Sequence, residues 1–169
     1  MSVRLATEAD IPRICTIYNQ GIEDRTATLE TRLRTVEDML EWLRGREARH
    51  CVLVSVDPFG MVTGWASVNP FSGRCCYSGV GDISVYIARE SRGMGIGTEL
   101  LQSLCNEAVL RDFHKLVLGA LSYNEAGLKL YTRCGFRQVG VYEEQGLLDG
   151  RPVDVVIMEK KLSGLISEK

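Results

Sequence analysis

The spacing of apolar residues along the chain alternates between the helical period of about 3.6 and the two-residue period of a strand. Two of the four helical segments begin with a capping pair, Thr7 with Asp10 and Thr35 with Asp38. The predicted helices cover residues 7–21, 35–43, 98–109 and 125–135. The predicted strands cover residues 3–6, 51–56, 61–68, 81–88, 115–121, 136–142 and 153–161. Helices and strands therefore alternate, which predicts a mixed α/β fold.

In the fourth predicted strand, three apolar residues, Ile83, Val85 and Ile87, alternate with Ser84 and Tyr86. Successive side chains of a strand point to opposite faces of the sheet. We therefore expect the three apolar side chains to face the core and the other two to face outwards.

Length and composition favour one domain spanning residues 1–169, because the chain has no repeat, low-complexity tract or linker. Its hydrophobic share of 45% and charged share of 25% are ordinary for a soluble globular protein. The net charge of −2, without a basic run, does not favour nucleic acid as a partner. No signal peptide and no apolar run of about 18 residues is recognised, so we expect a cytoplasmic protein without a membrane partner.

Six cysteines are present, but none forms a C-x-x-C pair and neither histidine has ligand spacing to them. This pattern does not predict a metal site. Four of them, at positions 15, 51, 105 and 134, lie in apolar patterns and are expected to be reduced core residues. Cys75 and Cys76 are adjacent, and either a reactive pair or inert packing is compatible with the sequence.

Three glycines, Gly93, Gly95 and Gly97, separate the fourth strand from the third helix. Fixing a glycine costs backbone entropy, so three in five residues indicate that a ligand approaches the main chain closely. The unpaired N–H groups and the dipole of a helix start favour an anion. No lysine follows as in a P-loop, and Leu100 replaces the third glycine of a dinucleotide fingerprint. The remaining pattern, [QR]-x-x-G-x-[GA], is met by Arg92 with two of the glycines.

This pattern resembles motif A of the GCN5-related N-acetyltransferases, which bind acetyl-coenzyme A. The preceding "SVYI" and the later "NEAGLKLYTRCGF" are also similar to that family, and the resemblance covers nearly the whole chain. It implies one domain with a central, twisted, mostly antiparallel sheet that is splayed at the acetyl-CoA site and flanked by helices. It also implies acetyl-CoA as cosubstrate, with an amine as acceptor.

The resemblance places the pyrophosphate on the main chain of the glycine loop and the pantetheine arm along the fourth strand. Asn124 would contact that arm, although an ordinary helix cap is the alternative. The implied cofactor-binding residues are Val85, Tyr86, Ile87, Arg92, Gly93, Met94, Gly95, Ile96, Gly97, Thr98 and Asn124.

Two catalytic residues follow from the same resemblance. Tyr131 matches the family's general acid, which protonates the departing thiolate, while packing on the helix face is its structural alternative. Asp82 stands where relatives with glutamate-like substrates carry a glutamate. It would accept the proton of the amine directly or through a water, or only attract the ammonium group.

Within the family, the chain most resembles the phosphinothricin and arsinothricin N-acetyltransferase branch. The stretches "YNQGIEDRTATLETRLRT" and "FSGRCCYSG" are similar to its substrate loop and its Arg-x-x-Tyr segment. This implies a small amino-acid-like acceptor with a second acidic group, bound by Arg74 and Tyr77 and also by Glu23 and Thr28. A homodimer with the active site near the interface is implied as well.

The C-terminal segment departs from the branch pattern at Pro152, where relatives often carry tryptophan, and at the preceding Glu143 and Glu144, which leaves the exact substrate open. Other functions also remain open. The acceptor could be methionine sulfone or methionine sulfoximine, or a protein N-terminus. The chain could also be a non-catalytic acetyl-CoA sensor, although a sensor needs neither Tyr131 nor Asp82.

Overall fold

The computed structural model describes residues 2–162, in which seven strands form one sheet flanked by four α-helices. The strands are β1 (Ser2–Leu5), β2 (Val52–Val56), β3 (Val62–Pro70), β4 (Val80–Ile87), β5 (Lys115–Leu121), β6 (Arg137–Leu148) and β7 (Arg151–Lys161). The helices are α1 (Ile11–Glu23), α2 (Val36–Arg44), α3 (Ile96–Leu110) and α4 (Glu125–Arg133). The spatial order β1-β2-β3-β4-β5-β7-β6 confirms the mixed α/β fold.

Both predicted capping pairs form. At the start of α2, the Asp38 N–H donates to Thr35 Oγ1 at 3.1 Å, and the Thr35 N–H donates to the Asp38 carboxylate at 2.9 Å. The Thr7 N–H donates to Asp10 Oδ2 at 2.8 Å, ahead of the 3₁₀ turn that leads into α1. Each pair satisfies main-chain donors that a helix start leaves free. α2 therefore begins where the sequence predicts, whereas Thr7 caps the 3₁₀ turn and α1 itself begins only at Ile11.

Helices cover both faces of the sheet. On one face, α3 packs apolar residues such as Leu100 and Leu104 against the strands, and on the other α1 contributes Ile14 and Ile17. The expectation that Tyr86 faces outwards is wrong, because its ring stacks on that of Trp65 with 4.8 Å between the ring centres. A strand inside a sheet covered on both faces buries alternate side chains in two different layers.

The sheet opens between β4 and β5, which is its one parallel pair within the described chain. Their pairing runs only from Val80 to Asp82 on β4 and from Lys115 to Val117 on β5. Beyond Asp82 the two strands separate, while β5 continues to pair with β7 as far as Leu121. The predicted splay of the sheet is therefore confirmed, and it exposes one edge of β4.

The last hairpin is longer than the sequence predicts. β6 continues past Tyr142 to Leu148, through a register shift between Tyr142 and Gly146, and pairs with β7 from Arg151. Its exposed residues, including Val139, Val141 and Leu147, lack strict alternation, which explains why the pattern ended too early.

The cysteines divide as the sequence predicts. Those at positions 15, 51, 105 and 134 are buried free thiols, whereas Cys75 and Cys76 lie exposed in a 3₁₀ turn of the β3–β4 connection. No helix within residues 2–162 has the length and apolar character that crossing a membrane requires.

Candidate active site

A cleft of about 770 Å³ lies where β4 separates from β5. Its walls come from the free end of β4, the glycine loop, the start of α3, α4 and the end of α1. Ten of the eleven residues expected at the cofactor site line it: Val85, Tyr86, Ile87, Arg92, Gly93, Gly95, Ile96, Gly97, Thr98 and Asn124. The splay of the sheet thus brings together residues from three separate segments.

The glycine loop places main-chain N–H groups at the end of this cleft. Gly93 has φ +78° and Gly95 has φ +82°, and apart from the adjoining main chain no described atom lies within 4 Å of where a Cβ would stand at either position. Gly95 is the N-cap of α3, so unpaired donors and the positive end of the helix dipole meet there. The loop has the conformation and the electrostatics of an anion site.

The third glycine has a different role. A Cβ on Gly97 would lie 2.7 Å from Leu130 Cδ2, so this glycine allows α3 to approach α4 closely. Met94, the eleventh expected residue, is 62% exposed and lies outside the lining of the cleft. Only the main chain of Met94 can therefore contribute to an anion site.

Two arginines that precede the glycine loop, Arg89 and Arg92, form ion pairs with the end of α1. Arg92 Nη2 lies 2.7 Å from Asp24 Oδ2, and Arg89 Nη2 lies 2.7 Å from Asp24 and 3.1 Å from Glu23. These contacts hold the pKa of Asp24 below its usual value. Glu23, expected to bind substrate, therefore lies at the glycine-loop end of the molecule and lines neither of the cavities described here.

Asp82 and Tyr131 flank the point where the sheet opens. Asp82 is the last residue of β4 paired with β5, and burial raises the pKa of its carboxyl from 3.8 to about 6. Tyr131 lines the cleft, where burial and then the negative charge of Asp82 raise its pKa to about 12. A carboxylate that titrates near neutrality and a phenol that stays protonated are suited to act as base and acid.

Asn124 is both a helix cap and a residue of the cleft, the two alternatives that the sequence left open. Its Oδ1 accepts the Gly127 N–H at 3.0 Å and caps α4, while the residue also lines the cleft. The cap fixes the side chain, so the amide NH₂ is the group available to a ligand.

A second cavity of about 250 Å³ lies on the other face of β4, between the sheet and the first two helices. Tyr86 lines both cavities. The second cavity is lined by Tyr18, Glu30, Arg34, Asp38, Met39, Trp42, Trp65, Ser67, Asn69, Ser84 and Tyr86. Sequence reasoning missed nearly all of these residues.

The strand register shows why this cavity adjoins Asp82. Across β3 and β4, Trp65 pairs with Tyr86, Ser67 with Ser84, and Asn69 with Asp82. Partners in a ladder share one face of the sheet, so Asp82 continues the row of residues that lines the cavity. The sequence signal for this cavity was the alternation of Trp65, Ser67 and Asn69 in "WASVN", which places these three side chains on one face of β3.

The remaining substrate candidates lie apart. Thr28 lines neither cavity, and its Oγ1 accepts a hydrogen bond at 3.1 Å from the main-chain N–H of Glu30, which does line the second cavity. Arg74 is exposed, and Tyr77, 41% exposed, packs edge-on against Phe71. The structure does not bring Arg74 or Tyr77 to either cavity, because their 3₁₀ turn lies on the surface.

Comparison with known proteins shows similarity to acetyltransferases over nearly the full chain. The model of the acetyltransferase (GNAT) family matches residues 15–136. The L-methionine sulfoximine/L-methionine sulfone acetyltransferase of Pseudomonas paraeruginosa is 33% identical over 165 residues, which cover 95% of this chain and 94% of that protein.

Two solved structures are similar in sequence and in fold. The ribosomal-protein-alanine N-acetyltransferase of Brucella melitensis is 36% identical with a TM-score of 0.92, over 96% of this chain and all (100%) of the other. A phosphinothricin acetyltransferase of Sinorhizobium meliloti in complex with acetyl-CoA is 25% identical with a TM-score of 0.92, over 99% of this chain and 91% of the other. The chain belongs to the GNAT family and is an N-acetyltransferase.

Proposed function

We propose that this chain transfers the acetyl group of acetyl-CoA to the amino group of a small amino acid such as phosphinothricin or arsinothricin. The observation that carries the proposal is the opening of the sheet at Asp82. It leaves a long cleft, lined by Tyr131, on one side of β4 and an amino-acid-sized cavity on the other. Asp82 is in the lining of neither, but it lies where the strands separate and continues the row of β4 residues that lines the second cavity.

The long cleft fits acetyl-CoA in shape and chemistry. Main-chain N–H groups of residues 93–98 bind the diphosphate, and Arg92 supplies positive charge beside it. The exposed edge of β4 at Val85–Ile87 pairs with the amides of the pantetheine arm, as an added strand would. The NH₂ group of Asn124 donates to the same arm. The acetyl-CoA complex of the Sinorhizobium meliloti relative supports this assignment.

In the reaction, the amine nitrogen bonds to the thioester carbonyl carbon and the carbon–sulfur bond breaks. Asp82 accepts the proton that the amine loses, directly or through one water, and its raised pKa suits this role near neutral pH. A main-chain N–H of Val85–Ile87 polarises the carbonyl oxygen. Tyr131, kept protonated by its raised pKa, donates a proton to the departing sulfur.

The acceptor class rests on the size of the second cavity and on the relatives. A cavity of about 250 Å³ suits a single amino acid rather than a polypeptide. The names of the Pseudomonas and Sinorhizobium proteins support a small amino-acid-like acceptor. The name of the Brucella relative favours a second candidate, acetylation of a protein N-terminal alanine.

We further propose that residues 1–169 form a single domain, that the protein acts as a cytoplasmic homodimer, and that it can confer phosphinothricin resistance. The buried free cysteines are compatible with a reducing compartment. The exposed apolar residues of β6 support self-association. A second copy would also allow the surface turn that carries Arg74 and Tyr77 to complete the acceptor site.

A thiol-release assay across a panel of acceptors tests the proposal. The panel contains phosphinothricin, arsinothricin, methionine sulfone, methionine sulfoximine and an alanine-terminated peptide, each with saturating acetyl-CoA. We expect the highest kcat/KM for one of the four amino acids. A higher kcat/KM for the peptide would favour the second candidate. Tight acetyl-CoA binding without turnover of any acceptor would identify a sensor.

A further inference from the structure

One residue in the lining of the second cavity, Trp65, carries a buried hydrogen-bond donor without an acceptor among the described residues. Trp65 is only 3% exposed, and within residues 2–162 its indole Nε1–H has no hydrogen-bond partner. Buried N–H groups in native proteins are nearly always paired, so an orphan that lines a cavity indicates that a ligand supplies the acceptor.

The indole of Trp65 is held in place by three other aromatic rings. It stacks on Tyr86 at 4.8 Å with an interplanar angle of 23°. It also makes edge contacts with Trp42 at 5.6 Å and with Tyr18 at 5.9 Å. Its N–H is therefore a preorganised donor, which loses little side-chain entropy when a ligand binds.

Charge in the cavity wall favours an electron-rich ligand. The two carboxylates that line the cavity are both paired: Arg34 Nε lies 3.0 Å from Glu30, and Arg32 Nη2 lies 2.9 Å from Asp38. Their negative charge is thus compensated before a ligand enters. Neither carboxylate is free to attract a cation.

Behind this wall lies an arginine, Arg46, for which the described part of the chain supplies no carboxylate. Its guanidinium donates to Val68 O at 2.6 Å and to Asn69 Oδ1 at 3.1 Å, and it stacks 4.5 Å above the ring of Trp42. Burial lowers the pKa of Arg46 to about 10, so the group remains charged at neutral pH. Asn69, which lines the cavity, also donates to Ser84 Oγ at 3.2 Å, so a chain of hydrogen bonds connects Arg46 to the cavity wall.

We propose that Trp65 is a specificity-determining residue, whose indole N–H donates a hydrogen bond to a side-chain oxygen of the amino-acid acceptor. This rests on the proposed function, because the acceptor amine must lie near Asp82. On this face of β4, Asp82 and Tyr86 lie four residues, or about 13 Å, apart, and Trp65 pairs with Tyr86. An amino acid with a four-atom side chain, together with a hydrogen bond of about 3 Å at each end, spans about this distance. The amine then lies towards Asp82, and the side chain points towards Trp65.

A pair of matched substrates tests this assignment. Methionine sulfone differs from methionine only in the two oxygens on sulfur. We expect the wild-type protein to have the higher kcat/KM for the sulfone. In Trp65→Phe, the ratio of the two kcat/KM values should fall about two- to tenfold, the usual effect of losing one neutral hydrogen bond. The loss should appear mainly in the KM of the sulfone.

Trp42→Phe is the matched control, because it shortens another indole in the same cavity and should affect both substrates alike. Calorimetry with acetyl-CoA, which binds in the other cleft, reports whether each variant is folded. If Trp65→Phe does not fold, the isosteric analogue 3-benzothienylalanine replaces Trp65 in the Trp42→Phe background and removes only the N–H.

An unchanged ratio in a folded Trp65 variant overturns the proposal and leaves water as the partner of the indole. Equal wild-type kcat/KM values for both substrates also overturn it, although turnover of both would still support the proposed function. Failure of the wild-type protein to acetylate any amino acid of the panel rejects the proposed function, and with it this assignment.

Discussion

Replacing Asp82 by asparagine removes a buried carboxyl group and keeps the size of the side chain. Burial raises the pKa of this group from 3.8 to about 6. Between these pH values the folded chain keeps a proton that the unfolded chain has lost. The free energy of unfolding of the wild-type protein therefore carries a term that falls as pH rises from about 4 to about 6 and then levels off.

The size of this term follows from the two pKa values. A shift of two units corresponds to about 3 kcal/mol, of which about 1.4 kcal/mol lies between pH 5 and pH 8. Asparagine has no such term. We expect Asp82→Asn to gain about 1.4 kcal/mol over the wild-type protein when the pH is raised from 5 to 8.

Urea unfolding followed by tryptophan fluorescence at pH 5, 6, 7 and 8 measures this difference. Asp112→Asn is the matched control, since Asp112 is exposed and asparagine tolerates its positive φ of 63°. This control reports the effect of removing a carboxylate from the surface. A difference between Asp82→Asn and wild type that stays constant from pH 5 to pH 8 would refute the raised pKa of Asp82.

The same variant separates stability from catalysis. As a base, Asp82 acts in its carboxylate form, so the wild-type kcat/KM should fall as pH drops through about 6. Asp82→Asn should lose this limb together with up to about 10²–10⁴-fold of the rate. A pH–rate profile that keeps the limb would assign the base to another group.

Gly95→Ala forces a left-handed conformation on a side chain, so unfolding should become easier by about 1–2 kcal/mol and calorimetry should show weaker acetyl-CoA binding. Gly60→Ala, at φ +85° in the β2–β3 turn, is the control and should lose similar stability without a change in acetyl-CoA affinity. If Gly95→Ala binds acetyl-CoA as tightly as Gly60→Ala does, the result counts against the anion site. Tyr131→Phe should lower kcat by up to about 10²-fold with little change in acetyl-CoA affinity, whereas weakened binding alone would make the phenol a packing residue. Arg74→Ala should raise the KM for phosphinothricin about ten- to a hundredfold, with much less effect on methionine sulfone and partial rescue by lysine. No change for either substrate would leave Arg74 a surface residue.

Local signals in the sequence predicted most of the fold. Thr35 with Asp38 fixes a helix start through contacts three residues apart, and such contacts can be recognised without knowing what packs above them. The glycine loop was recognised in the same way, because Gly95 needs its positive φ wherever the rest of the chain lies. The opening of the sheet came from the resemblance to a family rather than from periodicity.

The second cavity could not be predicted because its walls meet only in the folded chain. Trp65 and Tyr86 become neighbours through the β3–β4 register, and Trp42 reaches them from a helix that precedes both strands. Tyr86 was expected to face outwards because alternation alone does not show that helices cover both faces. Arg74 was assigned from its motif, but a motif does not say whether one chain or two surround a site.

The contact between Gly97 and Leu130 shows that the glycines of the loop are required for two different reasons. Two glycines of the loop leave open space for a ligand, whereas the third is required by a leucine of another helix. Part of a motif that looks like a ligand fingerprint is thus a constraint between two helices. In related chains, residue size at these two positions should vary jointly, with a larger residue at 97 accompanying a smaller one at 130. A chain with alanine at position 97 and a residue smaller than leucine at position 130 would still have the two glycines, at 93 and 95, that leave space for the ligand.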